Sequence, residues 1–303
     1  MTHISISTMW SERFTNIAEF IQDARGTGFT HLELNSILSP ERLKELLSVN
    51  DLGISSVHAP SPNTETAAGM ANRLSLGSLN ENERRAAIEV TVSTINLASE
   101  VGARVVVVHA GYADMNPDME KDLRRMYLDG LGESDEFERL RCSIVELRSF
   151  NACPHVDAAK ESLRELADYA RKKGIQIALE NRVNYHEIPS IDEMVDIMSE
   201  FQPEVVGYWH DVGHAEIQSR TGFTPHMDWF KALEDRMVGV HLHDLRGLKD
   251  HYAPGSGDIN WRLLADKLAG NIVRVCEIAA WNEPEDAGGA ISFLKETGVL
   301  SHS

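Results

Sequence analysis

Apolar residues along this chain follow two alternating rhythms. Short runs rich in β-branched residues lie near 3–8, 31–35, 54–58, 104–109, 175–180, 205–211, 237–243 and 272–278. Between them stand amphipathic stretches such as ERFTNIAEFIQDARGTG, NENERRAAIEVTVSTINLASEVG and DAAKESLRELADYARKKG. Their apolar positions recur at helical spacing, and each of the three ends at a glycine suited to a helix C-terminus. Strand–helix units repeated from end to end predict an α/β fold, a (β/α)8 TIM barrel forming a single domain over 1–303. No G-x-G-x-x-G follows the first strand, which counts against a dinucleotide-binding sheet.

Period-two geometry assigns the faces. In IQIALE, Gln176 and Ala178 share a face with Glu180, while Ile175, Ile177 and Leu179 point the other way. In MVGVHLHD, Gly239 and His243 share a face with His241; in HLELN, His31, Glu33 and Asn35 fall together. The polar set therefore aims into the barrel and the branched apolar set at the helices. Glu180, Asp211, His241 and Glu277 each stand where a strand runs out, and His58 and His109 occupy the same terminal, inward position. The carboxyl ends of barrel strands build the active site. Four oxygen and nitrogen ligands converging there predict a divalent metal site.

One segment breaks the rhythm. From about 112 to 156 the chain is longer than a βα loop needs and holds charged, helix-capable pieces. It reads either as a lid or binding loop after strand 4, or as an extension of the helix that follows. Arg124, Arg125, Arg139 and Arg141 are its candidates for reaching an anionic substrate, against the plainer role of a solvated helix face.

Composition narrows the partners. The 303 residues carry a net charge of −18, which repels phosphate backbones and anionic membranes, so neither nucleic acid nor membrane is expected as a partner. Cys142, Cys153 and Cys276 show no C-x-x-C spacing, as befits a reducing compartment. The N-terminus lacks a basic region followed by an apolar one, and no apolar run is long enough to span a bilayer. The expected location is cytoplasmic.

The ordered motifs ALENR, YWHDVGHAE, GVHLHDLRG, APGSGDINW and CEIA resemble the xylose isomerase-like TIM-barrel superfamily over essentially the whole chain. That superfamily includes sugar and sugar-phosphate isomerases and epimerases, inosose dehydratases and apurinic endonucleases of the endonuclease IV type. The resemblance to its epimerase branch implies one divalent ion on Glu180, Asp211, His241 and Glu277, with the two glutamates as proton donor and acceptor. It implies a carbohydrate substrate met by His214, with His58, His109, Arg246 and His251 as further contacts, and a homodimer or homotetramer. Trp10, Trp209 and Trp281 could form an apolar wall for a sugar ring, although core packing is the commoner fate of tryptophan.

The chemistry explains the residue types. Removing a proton beside a ketose carbonyl leaves an enediolate, which a metal chelating its oxygens stabilises as a Lewis acid. Oxygen-rich ligation with one imidazole suits Mn²⁺ first, then Mg²⁺, Co²⁺ or Zn²⁺. A lyase acting on an inosose or a dehydroshikimate-like substrate is the alternative on the same scaffold. The endonuclease branch is the other competitor, since His58 and His109 resemble its ligands for a second metal. Its third metal uses a D-x-H pair where this chain has Lys249-Asp250-His251, so that site is incomplete.

Overall fold

The computed structural model describes residues 3–268 and 270–300. Eight strands close into a barrel: β1 (Ser5–Ser7), β2 (His31–Leu34), β3 (Gly53–His58), β4 (Val105–Val108), β5 (Gln176–Glu180), β6 (Val206–Asp211), β7 (Met237–Leu242) and β8 (Val273–Cys276). All pair in parallel, each with its sequence neighbours, and β1 meets β8 to close the ring. This is the expected (β/α)8 barrel.

Alternation along the strands divides the apolar residues as the sequence predicts. Val105, Val107, Ala178, Trp209 and Val275 form an inner cluster inside the barrel. Val106, Ile177, Leu179, Tyr208 and Val240 join the larger layer between strands and helices. Trp209 is fully buried and fills the inner core. Gly239 allows this, because a Cβ there would fall 2.1 Å from the Trp209 ring.

The inserted region is helical. A helix at Asp118–Leu128 precedes a 39-residue helix at Asp135–Lys173, so the extended-helix reading holds for its second half. Leu123, Phe137 and Ile144 make a small core of their own, packed on Tyr185 and Phe223. Polar contacts tie the insertion to the loop after β5. Glu120 accepts from the backbone N–H groups of Tyr185 (2.8 Å) and His186 (2.6 Å), and Arg124 donates to the Val183 carbonyl at 2.7 Å. Arg148 donates to the Tyr185 carbonyl at 2.6 Å and grips Glu193 with two bonds of 2.7 Å.

Candidate metal centre

Glu180 and Asp211 are the last residues of β5 and β6, His241 is the penultimate residue of β7, and Glu277 follows β8. The fold brings all four together at the carboxyl mouth. His241 Nδ1 lies 3.4 Å from Glu277 Oε2, 3.5 Å from Asp211 Oδ2 and 3.6 Å from Glu180 Oε1. These spacings are close to the roughly 3.4 Å between neighbouring ligands of a tetrahedral ion with bonds of about 2.1 Å. Nδ1 itself is buried with no hydrogen-bond partner. Buried polar atoms are rarely left so, and a divalent cation shared with the three carboxylates would satisfy it. The donor set fits a metal.

Without a metal, charge collects on the ring. Burial opposes it, but Glu277 and Glu33 hold the His241 pKa well above its usual value. Metal binding at Nδ1 must therefore displace a proton.

The Asp211 carboxylate is fixed by His243, whose Nε2 lies 3.0 and 3.1 Å from its two oxygens, and by the His214 backbone N–H at 2.7 Å. His243 Nδ1 accepts from the His251 backbone N–H at 3.1 Å. Both nitrogens are thus engaged, which makes His243 an orienting group rather than a ligand. Gly213 makes room for this ring, since a Cβ there would meet His243 Cε1 at 2.0 Å. His251 adopts a left-handed φ of 58°. Its carbonyl accepts from Ala279 N–H at 3.0 Å and Asn282 Nδ2 at 2.8 Å, which holds that uncommon backbone in place.

Asn181 joins β5 to β6. Its Oδ1 accepts from Asp211 N–H (2.7 Å) and the Tyr208 hydroxyl (3.0 Å), its Nδ2 donates to the Asp211 carbonyl (3.0 Å), and its own carbonyl meets His214 Nδ1 at 3.0 Å. His214 Nδ1 is also 3.2 Å from Glu180 Oε1. Burial works against its charge, but Asp211 and Glu180 raise its pKa to about 9.

The other oxygen of Glu180 faces a second pair of imidazoles. Oε2 lies 2.9 Å from Nε2 of both His58 and His109. His58 Nδ1 sits 3.1 Å from the Ala59 carbonyl and so carries a proton. Burial lowers its pKa and Glu180 outweighs that, so a proton on Nε2 completes the contact. Arg182 Nη1 donates to His109 Nε2 at 2.6 Å. Burial, then this guanidinium, brings His109 down to about 3, so the ring is neutral and accepts the bond. Arg182 is held in turn by Glu187, through Nε (3.0 Å) and Nη2 (2.9 Å) to Oε1. Burial resists ionisation of Glu187, yet Arg182 and the Asn184 backbone N–H lower it to about 2.

A cavity of about 270 Å³ opens above the cluster, lined in part by His58, His109, Glu180, His214, His251 and Glu277, with Arg182 and Asp250 at its wall. A larger hollow of about 510 Å³ lies at the opposite mouth among His3, His31, Arg104 and Arg274. Arg274 there is engaged with the carbonyls of Leu268, Gly270 and Ile272. Size therefore does not mark the chemistry, and the convergent carboxylates do.

Several expected contacts lie elsewhere. Trp10 is fully buried, packs edge-on against Phe14 and Phe20, and donates from Nε1 to the Asn282 carbonyl at 3.0 Å, so it presents no face to the cavity. Arg246 is exposed, stacks on Tyr252 with Cζ 4.4 Å from the ring centre, and donates to the Ser256 carbonyl, away from the cavity lining. Trp281 is half exposed beneath Lys249 Nζ at 4.1 Å. None of the four insertion arginines lines the cavity. Asp244 accepts from Gly255 N–H, Ile259 N–H and Trp261 Nε1, each at 3.0 Å, and so anchors the PGSG turn rather than a metal.

Sequence reasoning passed over Arg182 and left Glu33 without a role, although both stand in quoted motifs. Arg182 follows the Glu180-Asn181 pair, and Glu33 has inward parity on β2.

A family model described as "Xylose isomerase-like TIM barrel" matches residues 20–297. An uncharacterized protein of Methanocaldococcus jannaschii is 26% identical over 239 residues, covering 76% of this chain and 66% of its own length. Among solved structures, a D-tagatose 3-epimerase-like protein superposes with a TM-score of 0.68 at 22% identity, over 98% of this chain and 97% of that one. The IolI protein with a bound zinc atom gives a TM-score of 0.64 at 15% identity, over 99% and 97%. At these identities the two structures speak for the fold.

Proposed function

Because the chain belongs to the xylose isomerase-like TIM barrel family, we propose that it is a divalent-metal-dependent isomerase or epimerase of a sugar, sugar phosphate or cyclitol. One observation carries the reading: the partnerless Nδ1 of His241 with three carboxylates 3.4–3.6 Å around it, below a cavity of sugar size. Epimerases and a zinc-bound protein among its structural neighbours support it.

Glu180, Asp211, Glu277 and His241 Nδ1 would hold one ion, with Mn²⁺ the best match to an oxygen-rich set containing one imidazole. Such an ion supplies Lewis-acid stabilisation for negative charge developing on substrate oxygens. Glu180 and Glu277 both reach the cavity wall, from β5 and from the end of β8, so they approach a bound substrate from different directions. One accepts the carbon-bound proton and the other returns one. His214 offers a charged donor to a substrate hydroxyl, and His251 lies beside Glu277, with Nδ1 3.1 Å from its carbonyl. His58 and Arg182 supply positive charge on the far flank of Glu180, where the endonuclease branch carries a second metal. The acidic surface and Lys249 point away from that branch as well.

The test is Glu180→Gln and Glu277→Gln, assayed at saturating Mn²⁺ with a panel of ketoses, inososes and their phosphates in deuterated water. Each variant should lose on the order of a hundredfold in deuterium incorporation at carbon. Wild-type exchange rates in both variants would remove the two-glutamate mechanism in favour of another base, whereas turnover by the wild type with no deuterium at carbon would favour a hydride shift.

A further inference from the structure

Glu33 is a carboxylate with no exposure, on β2 inside the barrel, and it is absent from the cavity lining. Among the described residues its ion-pair partner is His241, with Oε1 2.9 Å from Nε2. Its other oxygen accepts from the Ser56 hydroxyl at 2.7 Å. A carboxylate buried without lysine or arginine is unfavourable where an apolar side chain would pack. What it gains is control of one ring: an acceptor at Nε2 keeps a proton there and leaves the Nδ1 lone pair for the cluster of Glu180, Asp211 and Glu277.

The surroundings reinforce that orientation. Trp209 meets the His241 ring edge-on at 5.0 Å between centroids, and His58 stacks on it at 5.6 Å. Ser56 Oγ lies 3.3 Å from Ser55 Oγ, which accepts from Ser5 at 2.7 Å, so a line of hydroxyls continues below the carboxylate. Asp211 and Glu180 receive their orienting partners from groups at the mouth, whereas His241 receives its own from beneath. We infer that Glu33 is a positioning residue, fixing the tautomer and plane of His241 so that Nδ1 binds the metal. The inference rests on the metal reading of the preceding section.

The experiment is calorimetric titration of the metal-free, full-length protein with Mn²⁺, comparing wild type, Glu33→Gln, Glu33→Ala and Ser56→Ala. Glu33→Ala should bind one ion about ten- to a hundredfold more weakly. Glu33→Gln, whose amide oxygen still accepts from Nε2, should fall between it and wild type, and Ser56→Ala should show the smallest loss. Thermal unfolding of the metal-free forms separates positioning from simple support, since a structural role would lower the midpoint and leave affinity unchanged. Wild-type affinity, within twofold, in both Glu33 variants would overturn the inference while leaving the metal site standing. A wild type that binds no Mn²⁺ would overturn both.

Discussion

The two oxygens of Glu180 look onto two flanks built from the same residue types and finished differently. On the Oε1 side, His241 presents a nitrogen with no partner to Asp211 and Glu277 as well as Glu180. On the Oε2 side, His58 and His109 also converge on a carboxylate, but the ring nitrogens that face it are already engaged by the chain's own groups. Arg182 donates to His109, and a proton sits between His58 and Glu180. The first flank is complete only with a cation from solution; the second is complete from the chain's own residues. Clusters of histidine and acid are therefore not equivalent as metal sites, and the deciding feature is which lone pairs are already occupied.

The largest effect is expected from dismantling the first flank. Asp211→Ala or His241→Ala should weaken Mn²⁺ binding by more than about a hundredfold, beyond the usual loss for an outer partner, while circular dichroism keeps the barrel signature. Undiminished metal stoichiometry in both would erase the contrast. Next comes removal of the second flank's resident cation. Arg182→Ala frees the His109 lone pair, so the protein should take up two ions in place of one, as read by elemental analysis after dialysis. Persistence of a single ion would show that Arg182 is not what keeps the second flank metal-free.

The smallest effect concerns the support of that arginine. Glu187 has a folded pKa of about 2, below its ordinary 4.5. Its contribution to stability is full above pH 4.5 and disappears as pH falls from there through about 2. The difference in urea stability between wild type and Glu187→Gln should thus reach at most about 3 kcal/mol near neutrality. It should shrink toward zero near pH 2. A difference constant with pH would mean that the Arg182–Glu187 pair is not the source.

Much of this was legible in the chain. Inward parity placed Glu180 over Ala178 and Gln176, and His241 over Gly239, because a two-residue repeat is a local property. Contacts across long separations were not. Glu33 reads as one more polar residue on a short strand until β7 brings His241, 208 positions away, against it. Arg182 sits in a loop whose path depends on Glu187 and on Gln218, which donates to its carbonyl, so no periodicity announces where its guanidinium goes. Trp10 went to the core because its indole N–H found a backbone carbonyl there. Arg246 went outward because Tyr252 offered its ring face. The first is settled by a loop 272 positions away, the second by the facing strand of its own hairpin. The 112–156 insertion showed helix-capable pieces in its sequence, but neither the choice between lid and extended helix nor its docking onto the loop after β5.

That docking gives the chain a division of labour along its length. The four convergent ligands hang from strand ends, among the most constrained positions of the barrel, whereas the loop bearing Arg182 is braced by Glu120, Arg124 and Arg148 of an insertion lying outside the ring. Drift in those inserted helices can reshape one wall of the cavity, and the setting of Arg182 with it, while the four strand-end ligands stay fixed. Remodelling this buttress alone would change what the cavity admits while the ligand set stays on the barrel.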